Sequence, residues 1–366
     1  MEIDRRNMLV GGMALAAAGA TGAFAAEPDR KIGYAIVGLG YYALKVILPQ
    51  FANCSRSRVV ALVSGDPAKA RATAQTYGVP DHGIYDYAHF DDIRNNPDID
   101  VVYIILPNGL HAEYTIRAFK AGKHVLCEKP MAVSAAECEA MIAAGRAANR
   151  KLMIGYRCHF EPFNREAMRL ARTGAAGRIR YVRSEHGFVQ RDPTKWRLHR
   201  ALSGGGSLMD IGIYALQAAR YMSGEEPVSI TAKDSTDRTD PRFREVEDMI
   251  EWTMLFPSGA IGGCLSMYSA NQNHVLAMGD KGRIELEPGT RYDGNRMWVG
   301  ADGREREITN PPPGPGVNQF VGQLDHMADC VLTGREPIVP GEEGLRDMRI
   351  IEAIYRSARE GRTVTL

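Results

Sequence analysis

Apolar and polar positions change rhythm near the middle of the chain. In the first half, short apolar runs alternate with longer stretches of helical periodicity. IGYAIVG at 32–38 reads as a buried strand, and LKVILPQF at 44–51 as the start of an amphipathic helix. Strands follow at SRVVALV, VVYIIL, HVLCEK and KLMIGY, with helices over 111–121 and 134–149 between them. Strand and helix in alternation predict a doubly wound, parallel α/β sheet. From about residue 157 the period shortens to two. RIRYVRSEHGFV, PVSITAKDS, VEDMIEWTMLF, GAIGGCLSMYSA, NHVLAMGDKGRIELEP and RMWVGADG alternate as half-buried antiparallel strands do. Helices are predicted near 162–173, 208–222 and 344–360. In the last of these, Leu345, Met348, Ile351, Ile354, Tyr355 and Ala358 form one apolar stripe that reads as core. The expected architecture is an α/β Rossmann domain plus an α+β domain with an open, mainly antiparallel sheet.

A length of 366 residues suits two such domains. We divide the chain into a leader at 1–26, a dinucleotide-binding domain at 27–156 and a substrate and oligomerisation domain at 157–366, whose last helix packs back on the first domain. A net charge of +1 offers no electrostatic footprint for nucleic acid or a membrane surface, so neither is expected as a partner. The six cysteines lack metal-ligand spacing, and no metal is expected. The leader changes the picture most. Arg5 and Arg6 precede a weakly apolar, Ala/Gly-rich run ending near Ala25 and Ala26, the layout of a twin-arginine export signal. The mature protein is expected in the periplasm, exported already folded.

Candidate chemistry begins at Gly38-Leu39-Gly40-Tyr41-Tyr42-Ala43, a G-x-G-x-x-A run between strand and helix. Gly38 permits a tight turn, Gly40 a close approach to a pyrophosphate, and Ala43 a close helix–sheet contact. The next strand ends at Ser64 and Gly65, where an NAD enzyme usually carries a carboxylate for the ribose. A hydroxyl there, with Lys69 a helix turn later, favours NADP(H). Strand ends in such sheets line the cofactor. That rule brings in Leu106-Pro107-Asn108 with the following His111, then Glu128-Lys129-Pro130, then Tyr156-Arg157. In the second half, GGGSLMDIGIYAL at 204–216 reads as a flexible glycine approach to a helix bearing Asp210 and Tyr214 one turn apart; beside a dinucleotide-binding half, the glycines let that helix start close against the cofactor's reactive end.

GLGYYAL, LPNGLHAEYTIRAFKAGKHVLCEKPMA, MIGYRCHF and GGGSLMDIGIYAL together resemble the glucose–fructose oxidoreductase, inositol dehydrogenase and rhizopine-catabolism family. The likeness covers essentially the whole chain after the leader, and is closest to the periplasmic glucose–fructose and aldose–aldose oxidoreductases. It implies a catalytic set of Lys129, Asp210 and Tyr214. Tyr214 takes the hydroxyl proton, Lys129 lowers its pKa, and Asp210 orients sugar hydroxyls or holds Lys129. The resemblance also implies a cis Lys129-Pro130 bond. It implies cofactor contacts from Ser64, Lys69 and Tyr87, and from Arg157, Trp196 and Arg197 of the second domain. Lys129, Arg157, Asp210 and Tyr214 would meet substrate. Asn318, Gln323 and His326 would form part of its wall.

With export, the resemblance implies a ping-pong cycle on tightly bound NADP(H): one aldose oxidised at C1 to a lactone, a second carbonyl sugar reduced to an alditol. Relatives pair the open sheet face in a dimer, so a homodimer is expected. Two alternatives stay open. One is an NAD-dependent glycosidase of the same family, expected to carry His at 214. The other is a non-catalytic NADP-binding sensor.

Overall fold

The computed structural model describes residues 30–366 apart from Asp302, so the export leader lies outside the described residues. Residues Lys31–Leu366 form one compact unit. Two sheets organise it. The first holds six parallel strands: β1 (Ile32–Val37), β2 (Ser57–Val63), β3 (Ile84–Tyr85), β4 (Val101–Ile104), β5 (His124–Cys127) and β6 (Leu152–Ile154). Their spatial order is β3-β2-β1-β4-β5-β6. Strand order reverses between β1 and β4, so the crevice beyond their carboxyl ends is where a ligand settles. Every residue of β1 and β4 is buried, as expected for strands covered on both faces.

Helices α1 (Pro67–Tyr77), α2 (His111–Lys120) and α3 (Ala135–Ala147) make the crossovers. Asp66 caps α1 through the Lys69 amide, and Ser134 caps α3 through the Glu137 amide. The first connection departs from expectation. LKVILPQF predicts a regular helix, but Tyr42–Ile47 winds as a π-helix and Leu48–Asn53 as a 3₁₀-helix. Pro49 lies at the junction and denies an amide to the ladder.

The second sheet has nine strands: β7 (Ile179–Gly187), β8 (Ser229–Asp234), β9 (Met249–Leu255), β10 (Ile261–Met267), β11 (Gln272–Gly279), β12 (Gly282–Leu286), β13 (Met297–Ala301), β14 (Arg304–Ile308) and β15 (Val364–Thr365). The order is β14-β13-β12-β11-β7-β10-β9-β8-β15, with only β7 and β10 parallel. This is the open, mainly antiparallel sheet expected from the period-two segments. One face receives α4 (Pro162–Arg172), α6 (Ile213–Ser223) and α8 (Gly341–Glu360). The short α5 (Arg200–Ser203) precedes the glycine run.

Chain order and packing part company at the C-terminus. α7 (Gln319–Thr333) covers the first sheet, not the second: the Tyr34 hydroxyl of β1 donates to the Leu324 carbonyl at 2.7 Å, and Asp325 accepts from Ser55, Arg56 and Ser57. α8 lies against both α3 and β8. Arg220 of α6, almost fully buried, meets Asp347 at 2.5 Å and Glu343 at 2.8 Å on α8. That network fixes the helix carrying Tyr214 to the one that bridges the two sheets.

Candidate active site

At the β1 end, Gly38 adopts φ +93°, and a Cβ there would stand 2.4 Å from the Ile105 carbonyl oxygen. Only glycine closes this turn. A Cβ on Gly40 would meet nothing within 4 Å, so its exposed backbone faces open space. Ala43 is fully buried against the sheet. A tight turn, a bare approach and a packed alanine are what a dinucleotide pyrophosphate requires. Beyond β2, Ser64 is buried and its hydroxyl accepts from the Asp66 amide. Gly65 lies under the Tyr87 ring, while Lys69 is exposed and 3.8 Å from Asp66. Ser64, Gly65, Lys69 and Tyr87 thus form one patch without a carboxylate at position 64.

Beyond β4, Asn108 is buried and donates to the Ser203 carbonyl, tying this loop to the second half of the chain. His111 corrects the expectation of a cofactor contact. It is fully buried, and its two ring nitrogens face the carbonyl oxygens of Leu106 and Pro130 at 2.9 Å each. It braces two cofactor-side loops from behind. The Lys129-Pro130 peptide is cis.

The structure brings Lys129, Asp210 and Tyr214 together across the two sheets. Lys129 Nζ donates to the Asp210 carbonyl at 2.5 Å and lies 3.8 Å from its carboxylate. Arg197 Nε holds the other carboxylate oxygen at 2.8 Å, and the Tyr268 hydroxyl donates to it at 3.0 Å. Burial works against the Asp210 carboxylate, but Arg197 and Lys129 outweigh it and keep its pKa below the ordinary value. Burial pulls the Lys129 ammonium below its ordinary value, with Asp210 and Glu128 opposing. Glu128 is held by the Tyr103 hydroxyl at 2.5 Å, which in turn accepts from Gln323.

Tyr214 has a different cation from the one the sequence suggested. Lys129 Nζ sits over its ring, 4.8 Å from the centroid, while the hydrogen bond to its hydroxyl comes from Arg157 Nε at 3.1 Å. Burial raises the phenol's pKa, and Arg157 is the main group lowering it. Tyr268, Tyr292 and His186 are site residues that motif reading did not reach. Tyr292 covers Arg157, and the His186 ring lies 6.0 Å from the Tyr214 ring. Each sits in a strand or loop with no motif; only the alternation of β7 could have pointed His186 toward the helix side.

The glycines of GGGSLMDIGIYAL prove to be a packing device. A Cβ on Gly205 would stand 2.0 Å from the Tyr355 hydroxyl oxygen, and one on Gly206 2.0 Å from the Glu247 carbonyl oxygen. Buried Glu247 accepts from the Gly206 and Leu208 amides at 2.9 Å each and from the Tyr355 hydroxyl at 2.8 Å. The approach is pinned, not loose. The helix itself opens with a π-helical turn, Leu208–Gly212, before α6 begins.

Other sequence candidates take structural posts. Asn318 caps α7 through the Phe320 and Val321 amides. His326 Nε2 accepts from the Ile338 amide, with its ring against Phe160. Trp196 is half-buried, with the Arg197 guanidinium 4.6 Å from its ring centroid. Among the described residues, one trio of metal-type ligands, His274, Glu285 and Glu287, lies within 4.8 Å. Its His274 Nε2 already lies within hydrogen-bond distance of Glu285, at 2.9 Å.

A dinucleotide fold facing a Lys–Asp–Tyr constellation defines an oxidoreductase. Family comparison agrees: residues 32–156 match the oxidoreductase family's NAD-binding Rossmann fold, and 170–366 its C-terminal alpha/beta domain. The chain belongs to this glucose–fructose oxidoreductase, inositol dehydrogenase and rhizopine-catabolism family. It is similar to the aldose–aldose oxidoreductase of Caulobacter crescentus, solved with glycerol, at 57% identity and a TM-score of 0.90, covering 92% of this chain and 100% of that one. It is 30% identical to the D-xylose 1-dehydrogenase [NADP(+)] of Haloarcula marismortui, over 92% of this chain and 94% of that protein. It is 32% identical to the D-xylose 1-dehydrogenase (NADP(+)) 2 of Haloferax volcanii, over 91% and 99% respectively.

Proposed function

We propose that this protein is a periplasmic aldose oxidoreductase that oxidises a sugar at C1 and reduces a second sugar on the same, retained NADP(H). The observation that carries the reading is the convergence of Lys129, Asp210 and Tyr214 beside the crevice of a Rossmann sheet. The likeness to an aldose–aldose oxidoreductase and to two NADP(+)-dependent xylose dehydrogenases supports the sugar and the coenzyme.

Gly38, Gly40 and Ala43 would hold the pyrophosphate, with Ser64, Gly65 and Lys69 at the 2′-phosphate. When bound, the nicotinamide supplies a hydride acceptor in one half-reaction and a donor in the other. The chain's own groups manage the proton. Tyr214 removes it from the anomeric hydroxyl as the lactone forms and returns it when a carbonyl sugar is reduced to an alditol. Lys129, held by Asp210, directs its ammonium at the reacting oxygen and stabilises charge there.

Export by the twin-arginine route rests on Arg5-Arg6 and the Ala/Gly-rich run behind them. An exported enzyme finds no coenzyme pool to draw on, which favours a closed ping-pong cycle. All six cysteines are free and buried, which keeps thiols from oxidants outside the cytoplasm. A homodimer through the second sheet is favoured by an apolar row on the face without helices: Leu255, Ile261, Tyr181 and Met278 lie side by side across β9, β10, β7 and β11. Three of them are well exposed.

The test is spectroscopic. Purified protein should carry bound nicotinamide, and an aldose added without coenzyme should produce the near-ultraviolet band of the reduced form. Protein free of nicotinamide, or a silent spectrum, rejects retention.

A further inference from the structure

Arg157 is a buried cation that no carboxylate touches. It is 4% exposed. Its hydrogen bonds go to neutral oxygens: Nη1 to Gln319 Oε1 at 2.7 Å and the Arg291 carbonyl at 3.3 Å, Nη2 to the Thr290 carbonyl, and Nε to the Tyr214 hydroxyl at 3.1 Å. Among the described residues it makes no ion pair. The guanidinium carbon lies 4.8 Å from the centroid of the Tyr214 ring and 4.8 Å from that of the Tyr292 ring. A charge out of water is costly, and the buried Glu128 carboxylate acts on this one without touching it. Such a site becomes favourable when a negative charge arrives beside it. Both Nη groups are tied down, so Nε–H is fixed on one atom, the Tyr214 oxygen. Lys129, by contrast, already has the Asp210 carboxylate.

We propose that Arg157 is a catalytic residue whose guanidinium stabilises the Tyr214 phenolate, making that tyrosine a base. The inference rests on Tyr214 being the proton acceptor proposed above. In the oxidising half-reaction the sugar O–H bond breaks and its proton joins the phenolate oxygen. The C–H electron pair leaves as hydride to an oxidised nicotinamide, and the product carbonyl forms. Arg157 keeps its own protons throughout.

Other groups also face Tyr214. Glu128 and Cys158 oppose its ionisation. Tyr42 and Tyr292 are phenols raised by burial. Lys129 reaches the ring, and burial holds His186 neutral, with a pKa of about 3. Asp210, one turn back on the same helix, is already matched by Arg197. Of these, only Arg157 donates a charged hydrogen bond to the phenol oxygen.

The experiment compares pH profiles of kcat for the nicotinamide-loaded wild type, Arg157→Met and Arg157→Lys, with Tyr214→Phe as the control on the base. In Arg157→Met the limb reporting the phenolate should move up by about one pH unit or more, with at least about tenfold lower kcat at neutral pH that recovers as pH rises. Arg157→Lys, which keeps charge but loses the Nε fork, should fall between. An unmoved limb in Arg157→Met, at any level of activity, overturns the proposal. If that variant does not fold, an unmoved limb in Arg157→Lys overturns it equally. A Tyr214→Phe enzyme that turns over normally removes the base itself, a failure of the underlying reading and not of Arg157.

Discussion

Lys129 Nζ lies 2.5 Å from the Asp210 carbonyl oxygen and 3.8 Å from its carboxylate, joining the end of a Rossmann strand to the first turn of a helix on the second sheet. The carbonyl contact is made by backbone and survives any side-chain change. The carboxylate contact does not. Asp210→Asn should therefore keep the ammonium near its place but loosen it, and release Arg197. We expect kcat to fall by about a hundredfold with coenzyme binding unchanged. Steady-state rates alongside coenzyme titration check this; equal losses in rate and coenzyme binding would point to general unfolding of the site.

What could be read from the sequence was local. Gly38, Gly40 and Ala43 lie within six residues, so one strand–turn–helix passage specifies their roles. The period-two segments of the second half gave the mainly antiparallel sheet. What could not be read was long-range. Arg157 and Tyr214 are 57 positions apart, and nothing in either neighbourhood says that a guanidinium meets the phenol. The Tyr34–Leu324 bond spans 290 positions, so a helix belonging by order to the second half covers the first sheet. The glycines at 204–206 show the same limit: the sequence does not say what they come close to. Glycine signals freedom or closeness, and only the arrival of Glu247 and Tyr355 decides between them.

Closeness at Gly205 has a measurable consequence. Gly205→Ala should cost about 1–3 kcal/mol, because the added methyl meets the Tyr355 hydroxyl. Gly205→Ala with Tyr355→Phe should recover part of that loss, a coupling expected of groups in contact. Urea unfolding of the four proteins in the cycle measures it; strict additivity would mean the loop has room after all.

Coenzyme choice is tested at the end of β2. Ser64→Asp sets a carboxylate where a 2′-phosphate is proposed to sit. NADP binding should weaken about tenfold or more, by charge repulsion at close range, while NAD binding should hold or improve. Competitive titration of the two dinucleotides reads this directly. Unchanged NADP affinity would move the phosphate elsewhere.

Lys129→Met separates an enzyme from a sensor. Removal of a charged group from the reacting oxygen should lower kcat by about 10²–10⁴-fold while the variant retains nicotinamide. A protein whose role is only to bind coenzyme would show no turnover to lose, and its behaviour would be unchanged by the substitution.

The most direct test of the central claim is product stoichiometry without added coenzyme. Purified protein is given an aldose and a second carbonyl sugar, and aldonic product and alditol are quantified together. The account expects many turnovers per protein molecule, with the two products appearing one for one. A single turnover that stops, or product that forms only when NADP is supplied, would contradict a closed cycle on a retained coenzyme.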